Sequence, residues 1–304
     1  MLGLAALGVV AGVASCRHRP DWGPTSRAFT REVLQAGGRQ RTYALWTPPG
    51  GLAGKPLVLA LHGRGGTGEG MEQLTGLSAI AAKEGFTVAA PDGVEKSWAD
   101  GRGIGPAHDA QVDDVAFLAA LIDALVARGA DASRVSVVGM SNGAMMALTL
   151  ACRIPQRLHG VVAVTGLVPR PLAQDCAQGP PLSVAFVLGT KDPLVPFAGG
   201  AVGTNRGDVL SADESFALWQ RRDGCAEAPT REALEDRDGA DGTTTTRLGA
   251  SCPGGVRVFR YDVEGGGHTW PGGWAYLPEG LIGKTSRDFS ASQAAWDFLG
   301  PAGR

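Results

Sequence analysis

Short runs of apolar and β-branched residues alternate with amphipathic stretches over most of the chain, from about residue 40 onward. Runs of four to eight such residues that end at glycine, proline or polar residues are typical of β-strands. The predicted strands are 42–47, 57–61, 87–90, 135–138, 161–164, 184–188 and 256–261. Several of them are almost continuously apolar, as expected for strands that are covered on both faces.

Helical patterns separate these strands. The clearest covers residues 112–126, where apolar residues recur every three or four positions and two aspartates occupy the first turn. Further helices are predicted at 71–83, 142–152, 212–222 and 291–299, and an exposed loop rich in Gly, Asp and Thr at 236–246. The alternation predicts an α/β fold, a mostly parallel, doubly wound central sheet with helices on both faces. No linker interrupts it, so residues 28–304 are predicted to form one domain.

The N-terminal residues differ from the rest of the chain. Residues 2–14 are apolar or glycine, a stretch too short to span a bilayer but suited to the apolar region of a secretory signal, although no Lys or Arg precedes it. The small residue before Cys16 resembles a bacterial lipobox, which implies cleavage and lipid attachment at Cys16. We therefore expect a signal segment at 1–16, a tether at 17–27 and a secreted, extracellular or periplasmic protein whose only membrane contact is that lipid. A buried N-terminal helix is the alternative.

Composition narrows the function classes. The chain is 44% hydrophobic and 19% charged, as in globular proteins, and its net charge of −2 provides no basic field that would attract nucleic acid. Four cysteines besides the lipobox residue form no CxxC motif and no Cys/His cluster, so a zinc site is disfavoured. An even number of cysteines in an exported protein predicts two disulfides. We favour Cys152–Cys176 and Cys225–Cys252, because each closes a short loop; four free buried thiols are the alternative.

The sequence Gly-Met-Ser-Asn-Gly at 139–143 directly follows a predicted strand and precedes a predicted helix. A serine hydroxyl becomes a nucleophile when a tight turn exposes it beside a base, and the flanking glycines leave room for such a turn, the nucleophile elbow. The chain contains no second GxSxG pattern. Ser141 is therefore the predicted nucleophile, with an ordinary strand-to-helix turn as the alternative.

A serine nucleophile of this kind needs an acid and a base that follow it in the sequence, each after a later strand. Asp192 lies just beyond the predicted strand at 184–188, where its carboxylate would orient a histidine. Asp208 and Asp213 are weaker candidates, because no strand leads into either. His268 lies in a glycine-rich block after the last predicted strand, and it alone of the five histidines has the required order and platform.

The tetrahedral intermediate also requires donors for its negatively charged oxygen. The sequence HGRGG at 62–66 follows a predicted strand, and the backbone N–H of Arg64 is one candidate donor. The backbone N–H of Asn142, the residue after the nucleophile, is the other. His62 would then be structural. A phosphate-binding loop is disfavoured, because the Lys-Ser/Thr ending of a P-loop is missing.

Four blocks together resemble the polyhydroxybutyrate depolymerase and feruloyl esterase family. These proteins are secreted α/β-hydrolases similar to carbohydrate esterase family 1. The blocks are HGRGG at 62–66, GMSNGAM at 139–145, GTKD at 189–192 and above all GGHTWPGG at 266–273. The resemblance runs from about residue 40 to residue 299. It implies hydrolysis of carboxylic esters through an acyl-enzyme, without cofactor or metal. Expected substrates are feruloyl or acetyl esters on plant polysaccharide, or short poly(3-hydroxyalkanoate) chains.

The substrate pocket is the least constrained part of this hypothesis. Trp270 and Trp98 are candidates to line it, since an amphipathic ring suits a feruloyl group or a sugar face, with core packing as the alternative and the favoured one for Trp98. The loops 97–110 and 198–208 are expected to shape it. We expect a monomer that acts on small or polymer-derived esters. A serine peptidase on the same fold, or a binding protein that retains the fold, is the alternative; the complete set of serine, acid and base argues against the latter.

Overall fold

The computed structural model of the protein describes residues 29–204, 206–226 and 228–300. The predicted signal segment 1–16 and tether 17–27, with the expected lipid attachment at Cys16, lie outside the described residues. In the described part of the chain, no helix is both long and apolar enough to cross a membrane.

Ten strands form one sheet in the order β1-β2-β4-β3-β5-β6-β7-β12-β11-β10, and a two-stranded ribbon pairs β8 with β9. The strands are β1 Thr30–Ala36, β2 Arg39–Trp46, β3 Leu57–Leu61, β4 Thr87–Pro91, β5 Val135–Met140, β6 Gly160–Val164, β7 Ser183–Gly189, β8 Gly200–Ala201, β9 Asp208–Val209, β10 Thr230–Ala233, β11 Thr244–Ser251 and β12 Arg257–Glu264. From β4 to β12 the neighbouring strands run parallel, and antiparallel strands flank them on both sides. This confirms the predicted α/β-hydrolase architecture.

Helices connect the parallel strands and cover both faces of the sheet. They are α1 Gly68–Thr75, α2 Leu77–Glu84, α3 Pro106–Asp109, α4 Asp114–Ala127, α5 Asn142–Arg153, α6 Ala173–Cys176, α7 Ala212–Arg222, α8 Glu279–Ile282 and α9 Ala291–Leu299. The single helix predicted at 71–83 is in fact two helices. Gly76 divides them with a left-handed backbone, φ 59°, and its N–H caps α1 at the carbonyl of Glu72.

Sequence patterns missed both antiparallel edges of the sheet. Strand β1 is mostly exposed and polar, so it carries little periodic signal. The last three residues of the loop predicted at 236–246 belong to strand β11 instead, so the prediction was wrong there. Threonines there alternate between buried and exposed positions, and Thr245 is buried. Threonine is β-branched and suits a strand whose faces differ in burial, so the polar composition was misleading.

The central strands divide the core into two layers. In β3, Leu57, Leu59 and Leu61 pack into one apolar cluster, and Val58 and Ala60 pack into the other. Helices α4, α5 and α7 cover the first face, and α2 and α9 cover the second. Full burial of one such leucine contributes roughly 2 kcal/mol. A rigid sheet of this kind fixes the positions of the loops at its carboxyl edge.

A buried ion pair connects the sheet with a loop that reaches the carboxyl edge. Arg41 of β2 donates to Asp114 at 2.8 Å, and both side chains are almost inaccessible. The second carboxylate oxygen of Asp114 accepts the backbone N–H of Ala99 at 2.8 Å. The neighbouring Asp113 caps α4 by accepting the N–H of Ala116. The two aspartates in the predicted first turn therefore have separate tasks, one as cap and one as buried anchor.

Two disulfides, Cys152–Cys176 and Cys225–Cys252, join the pairs favoured from the sequence. The first links the end of α5 to α6 across a separation of 24 residues. The second links the segment after α7 to the residue that follows β11, across 27 residues. Both therefore staple connections on the α5 and α7 side of the sheet.

Replacing Cys152 and Cys176 together by alanine is expected to lower the free energy of unfolding by about 3 kcal/mol, because the unfolded chain regains the entropy of an open loop. Urea unfolding of the oxidised double variant, compared with the oxidised parent, measures the difference. The variant keeps the second disulfide, Cys225–Cys252, so the comparison isolates one crosslink. An unchanged unfolding midpoint would show that this crosslink contributes no stability.

Glu72 is a buried carboxyl group at the junction of α1 and α2. It is 2% exposed, and its Oε1 accepts the backbone N–H of Ser78 at 2.9 Å. Burial raises the pKa of Glu72 from 4.5 to about 7. In the folded protein this group therefore holds its proton at pH values where the unfolded chain has released it.

Stability should consequently depend on pH through Glu72. Its contribution is full below about pH 4.5 and is lost as the pH rises through about 7, because the folded state must then bury a charge. Glu72→Gln stays neutral, so it should exceed the parent by roughly 1–3 kcal/mol at about pH 8 and match it at about pH 4.5. Urea unfolding at both pH values measures this, and an equal difference at both would contradict it.

Candidate active site

Ser141 lies at the sharp turn between β5 and α5. Its backbone has φ 56° and ψ −119°, a conformation that residues other than glycine rarely adopt. The Ser141 N–H donates to the carbonyl of Val164 at 2.9 Å, and its own carbonyl accepts from Met145 at 3.0 Å. Hydrogen bonds on both sides thus hold the strained turn. This is the geometry of a nucleophile elbow, in which the side chain projects from the carboxyl edge of the sheet.

The glycines on either side of Ser141 are required by close approach. A Cβ atom at Gly139 would lie 2.2 Å from the carbonyl oxygen of Gly143. A Cβ atom at Gly143 would lie 2.2 Å from the carbonyl oxygen of Leu61, at the end of β3. The glycines therefore let the elbow close on itself and let α5 approach the loop after β3.

Asp192 and His268 form a buried pair at the ends of the neighbouring strands β7 and β12. The distance from His268 Nδ1 to Asp192 Oδ2 is 2.7 Å, and the side chains are 3% and 2% exposed. The other oxygen, Oδ1, accepts the N–H groups of Leu194 and Val195, both at 2.8 Å. An ionised carboxylate can only accept, so the shared proton lies on Nδ1 and Nε2 is left as an acceptor.

The main chain of His268 is fixed separately. Its N–H donates to Ile282, and its carbonyl accepts the hydroxyl of Tyr276 at 2.8 Å. Burial and the negative charge of Asp192 raise the pKa of Tyr276, so the hydroxyl keeps the proton that it donates. A Cβ atom at Gly267 would lie 2.1 Å from the Ile282 carbonyl oxygen. Close backbone packing therefore positions this loop.

Ser141 and His268 line one cavity, with a volume of about 670 Å³. No hydrogen bond joins the Ser141 hydroxyl to the imidazole in this structure, and such bonds often form only when a substrate is bound. Most of the wall is apolar, with contributions from Met71, Leu74, Met145, Leu194, Val195 and Trp274. The cavity therefore combines a few polar groups, at Ser141 and His268, with a mostly apolar wall, as ligand sites commonly do.

Both predicted oxyanion donors lie at this cavity. Arg64 and Asn142 line it, and neither backbone N–H donates to another group in the part of the chain that the structure describes. The loop that carries Arg64 is held by a bond of 2.7 Å from the N–H of Gly65 to the carbonyl of Lys96. Two free amides from separate elements are thus available for an anionic oxygen.

His62 holds the loop that carries Arg64 through two hydrogen bonds of its imidazole ring. Its Nδ1 donates to the carbonyl of Gly63 at 2.8 Å, and its Nε2 accepts the N–H of Gly93 at 2.9 Å. Burial lowers the pKa of His62, so the ring is neutral, as an accepting Nε2 requires. This histidine bridges two loops, which fits the structural task that its position in the sequence suggested.

The two tryptophans predicted for the pocket do not line it. Trp98 is 1% exposed, donates its indole N–H to the carbonyl of His62 at 2.9 Å, and exchanges two backbone bonds with the Asn142 side chain. Trp270 is also 1% exposed and donates to Ser292 at 2.9 Å. The pocket assignment was wrong for Trp270, and for Trp98 the structure agrees with core packing, the favoured alternative, because each indole N–H has a buried partner within the protein. Trp98 instead joins the loop that carries Arg64 to the turn at Ser141, through His62 and Asn142.

Other residues take the place of these tryptophans. Trp274 and Tyr276 line the cavity from the segment that directly follows the block containing His268, beyond the turn at Gly272. Arg102 and Arg206 line it from the two loops that were expected to shape the pocket. The sequence does show aromatic residues shortly after His268. It does not show where the chain reverses, and that reversal decides which of them face the cavity.

The weaker candidates for the acid lie elsewhere. Asp213 is on α7, where its carboxylate pairs with Arg260 at 2.7 Å. Asp208 begins the short strand β9 and is exposed. Within the described ranges, no group of three or more His, Cys, Asp and Glu side chains is placed to hold a metal ion.

Comparison with known proteins identifies the family to which the chain belongs. A family model described as phospholipase/carboxylesterase matches residues 49–207. The chain is 37% identical over 299 residues to a protein named esterase NocK from Nocardia uniformis subsp. tsuyamanensis, covering 93% of this chain and 85% of the relative. It is 28% identical to a protein named feruloyl esterase C from Aspergillus niger, covering 74% and 84%.

Among solved structures, an acetyl xylan esterase from Aspergillus awamori superposes with a TM-score of 0.60 at 15% identity. The match covers 89% of this chain and 99% of that chain, and it shows the shared fold. The chain therefore belongs to the phospholipase/carboxylesterase family and is an esterase of the α/β-hydrolase superfamily.

Proposed function

We propose that the chain hydrolyses carboxylic esters through an acyl-enzyme on Ser141, with His268 as base and Asp192 as orienting acid. The observation that carries this proposal is the buried 2.7 Å bond from His268 to Asp192, beside the cavity that Ser141 also lines. A strained elbow, an oriented imidazole and two free amides at one cavity have the composition of an acyl-transfer site.

In the first half of the reaction, His268 Nε2 takes the proton of the Ser141 hydroxyl while the oxygen attacks the ester carbonyl. The N–H groups of Arg64 and Asn142 stabilise the resulting oxyanion, each by about 3 kcal/mol. His268 then protonates the departing alcohol, which leaves an acyl-serine. In the second half His268 deprotonates a water, the water attacks the acyl carbon, and the acid leaves as Ser141 regains its proton.

The acyl group is expected to be small and partly apolar. The cavity volume of about 670 Å³ and the aromatic residues Trp274 and Tyr276 suit feruloyl or acetyl esters, or short 3-hydroxyalkanoate chains. The names of the relatives support the first two classes.

Export is part of the same proposal. Two disulfides support passage through an oxidising compartment. We infer that the segment 1–16 directs this export and that Cys16 carries a lipid, so that the hydrolase domain acts outside the cytosol.

Ser141→Ala is expected to lower kcat for 4-nitrophenyl acetate by roughly 10⁴-fold or more, because the variant cannot form the acyl-enzyme. Circular dichroism and the unfolding midpoint should remain close to those of the parent, since the alanine removes one hydroxyl. Ser251→Ala, at an exposed position at the end of β11, is the matched control and should retain full turnover. Turnover by the Ser141 variant would exclude the acyl-enzyme.

Asp192→Asn is expected to lower kcat for the same ester by about 10⁴-fold with little change in KM. An amide can still accept from Leu194 and Val195, but its NH₂ group would face Nδ1 and favour the wrong histidine tautomer. Asp213→Asn controls for the loss of one carboxylate elsewhere. Equal rates for the two variants would refute the assignment of Asp192 as the acid.

A further inference from the structure

Three arginines line the active-site cavity, and no Asp or Glu among the described residues does. They are Arg64, Arg102 and Arg206. The proposed chemistry uses only the backbone N–H of Arg64, so all three guanidinium groups are left without a task in it. Positive charge at the rim of a cavity with an apolar wall raises the local concentration of anions.

Arg102 is already neutralised and acts as a support. Its guanidinium forks onto the Asp100 carboxylate, with Nη2 at 2.6 Å and Nε at 3.0 Å, and its side chain is 7% exposed. The remaining nitrogen, Nη1, donates to the backbone carbonyl of Arg206 at 2.8 Å. A buried, paired arginine thus holds the main chain of an exposed one.

Three further backbone hydrogen bonds fix the segment that carries Arg206. The Arg206 N–H donates to Val202 at 3.0 Å, and the Val202 N–H donates to Gly207 at 3.0 Å. The N–H of Gly203 donates to Leu194 at 2.7 Å, in the turn that also binds the Asp192 carboxylate. The position of Arg206 is therefore coupled to that of the acid.

Arg64 and Arg206 line the cavity from two different loops, and both are exposed. Neither guanidinium has a carboxylate partner in the part of the chain that the structure describes. Arginine stays charged at any working pH, and its planar fork matches a carboxylate with two parallel hydrogen bonds. Two such groups at one rim suit a ligand that carries its own negative charge.

We propose that Arg206, assisted by the side chain of Arg64, binds a second, ionised carboxylate of the substrate. The inference rests on the proposed esterase function of this site and narrows its substrate class to esters whose acyl or alcohol part bears a negative charge. Half-esters of dicarboxylic acids and hydroxy-acid oligomers with a free carboxyl end have this chemistry. Neutral acetyl esters do not.

The test compares two inhibitors that differ only in charge. Monomethyl adipate carries a free carboxylate, and dimethyl adipate is its neutral counterpart. Inhibition constants for both are measured against hydrolysis of 4-nitrophenyl acetate, a neutral reporter, at low and high ionic strength. We expect the monoester to inhibit more strongly than the diester, with the preference reduced at high ionic strength because salt screens exposed charges.

Arg206→Gln should reduce this preference by about fivefold, the scale of one exposed charge-assisted contact, and Arg64→Gln with Arg206→Gln should abolish it. The double variant keeps the backbone donor of residue 64. Arg153→Gln removes the same charge at the far end of α5 and should leave the preference intact.

Equal inhibition by the two esters, inhibition by neither, or an equal loss in the Arg153 and Arg206 variants would overturn the inference. Loss of 4-nitrophenyl acetate turnover in Ser141→Ala is scored separately. The esterase proposal can therefore stand while the charge preference fails.

Discussion

The buried hydrogen bond between Asp192 and His268 is the interaction on which the rest of the site depends. An ionised carboxylate inside a protein is costly unless its oxygens are paired, and here two amides and the imidazole pair them. The strand order makes this contact possible, because β7 and β12 are parallel neighbours whose carboxyl ends meet at one edge. Strands β3 and β5 end at the same edge, so Arg64 and Ser141 reach the same cavity. One topological constraint therefore assembles residues that lie far apart in sequence.

A second set of buried hydrogen bonds fixes the proposed oxyanion donor Asn142. Asn142 binds Trp98 and Asp100 through its side chain, with distances of 2.6 to 3.0 Å, so its own backbone N–H is held in place. The loop that contains Trp98 and Asp100 is also anchored by Asp114, which accepts the N–H of Ala99 and pairs with Arg41 of β2. Donors that need no rearrangement stabilise a transition state better than mobile ones. The ion pair in the core and the amides at the cavity thus belong to one connected framework.

The triad candidates were predictable because each has a local signal: a strand, a tight glycine-rich turn and a fixed chain order. The structure brings Asp192 and His268 into contact and places Ser141 at the same cavity, as that reasoning required. The pocket was not predictable in the same way. Whether Trp270 or Trp274 faces the cavity depends on the chain reversal at Gly272, and Trp98 found a buried hydrogen-bond partner instead. Two errors in the predicted elements have the same origin. The left-handed backbone of Gly76 splits a predicted helix in two, and pairing with β12 turns threonine-rich residues of a predicted loop into strand β11.

Covalent labelling shows whether His268 activates Ser141. A fluorophosphonate reacts with a serine that a histidine activates, and peptide mass spectrometry identifies the modified residue. We predict a single adduct on Ser141, with a labelling rate that falls by orders of magnitude in His268→Ala. An adduct on another residue, or a rate that does not depend on His268, would contradict the relay from carboxylate to imidazole to hydroxyl.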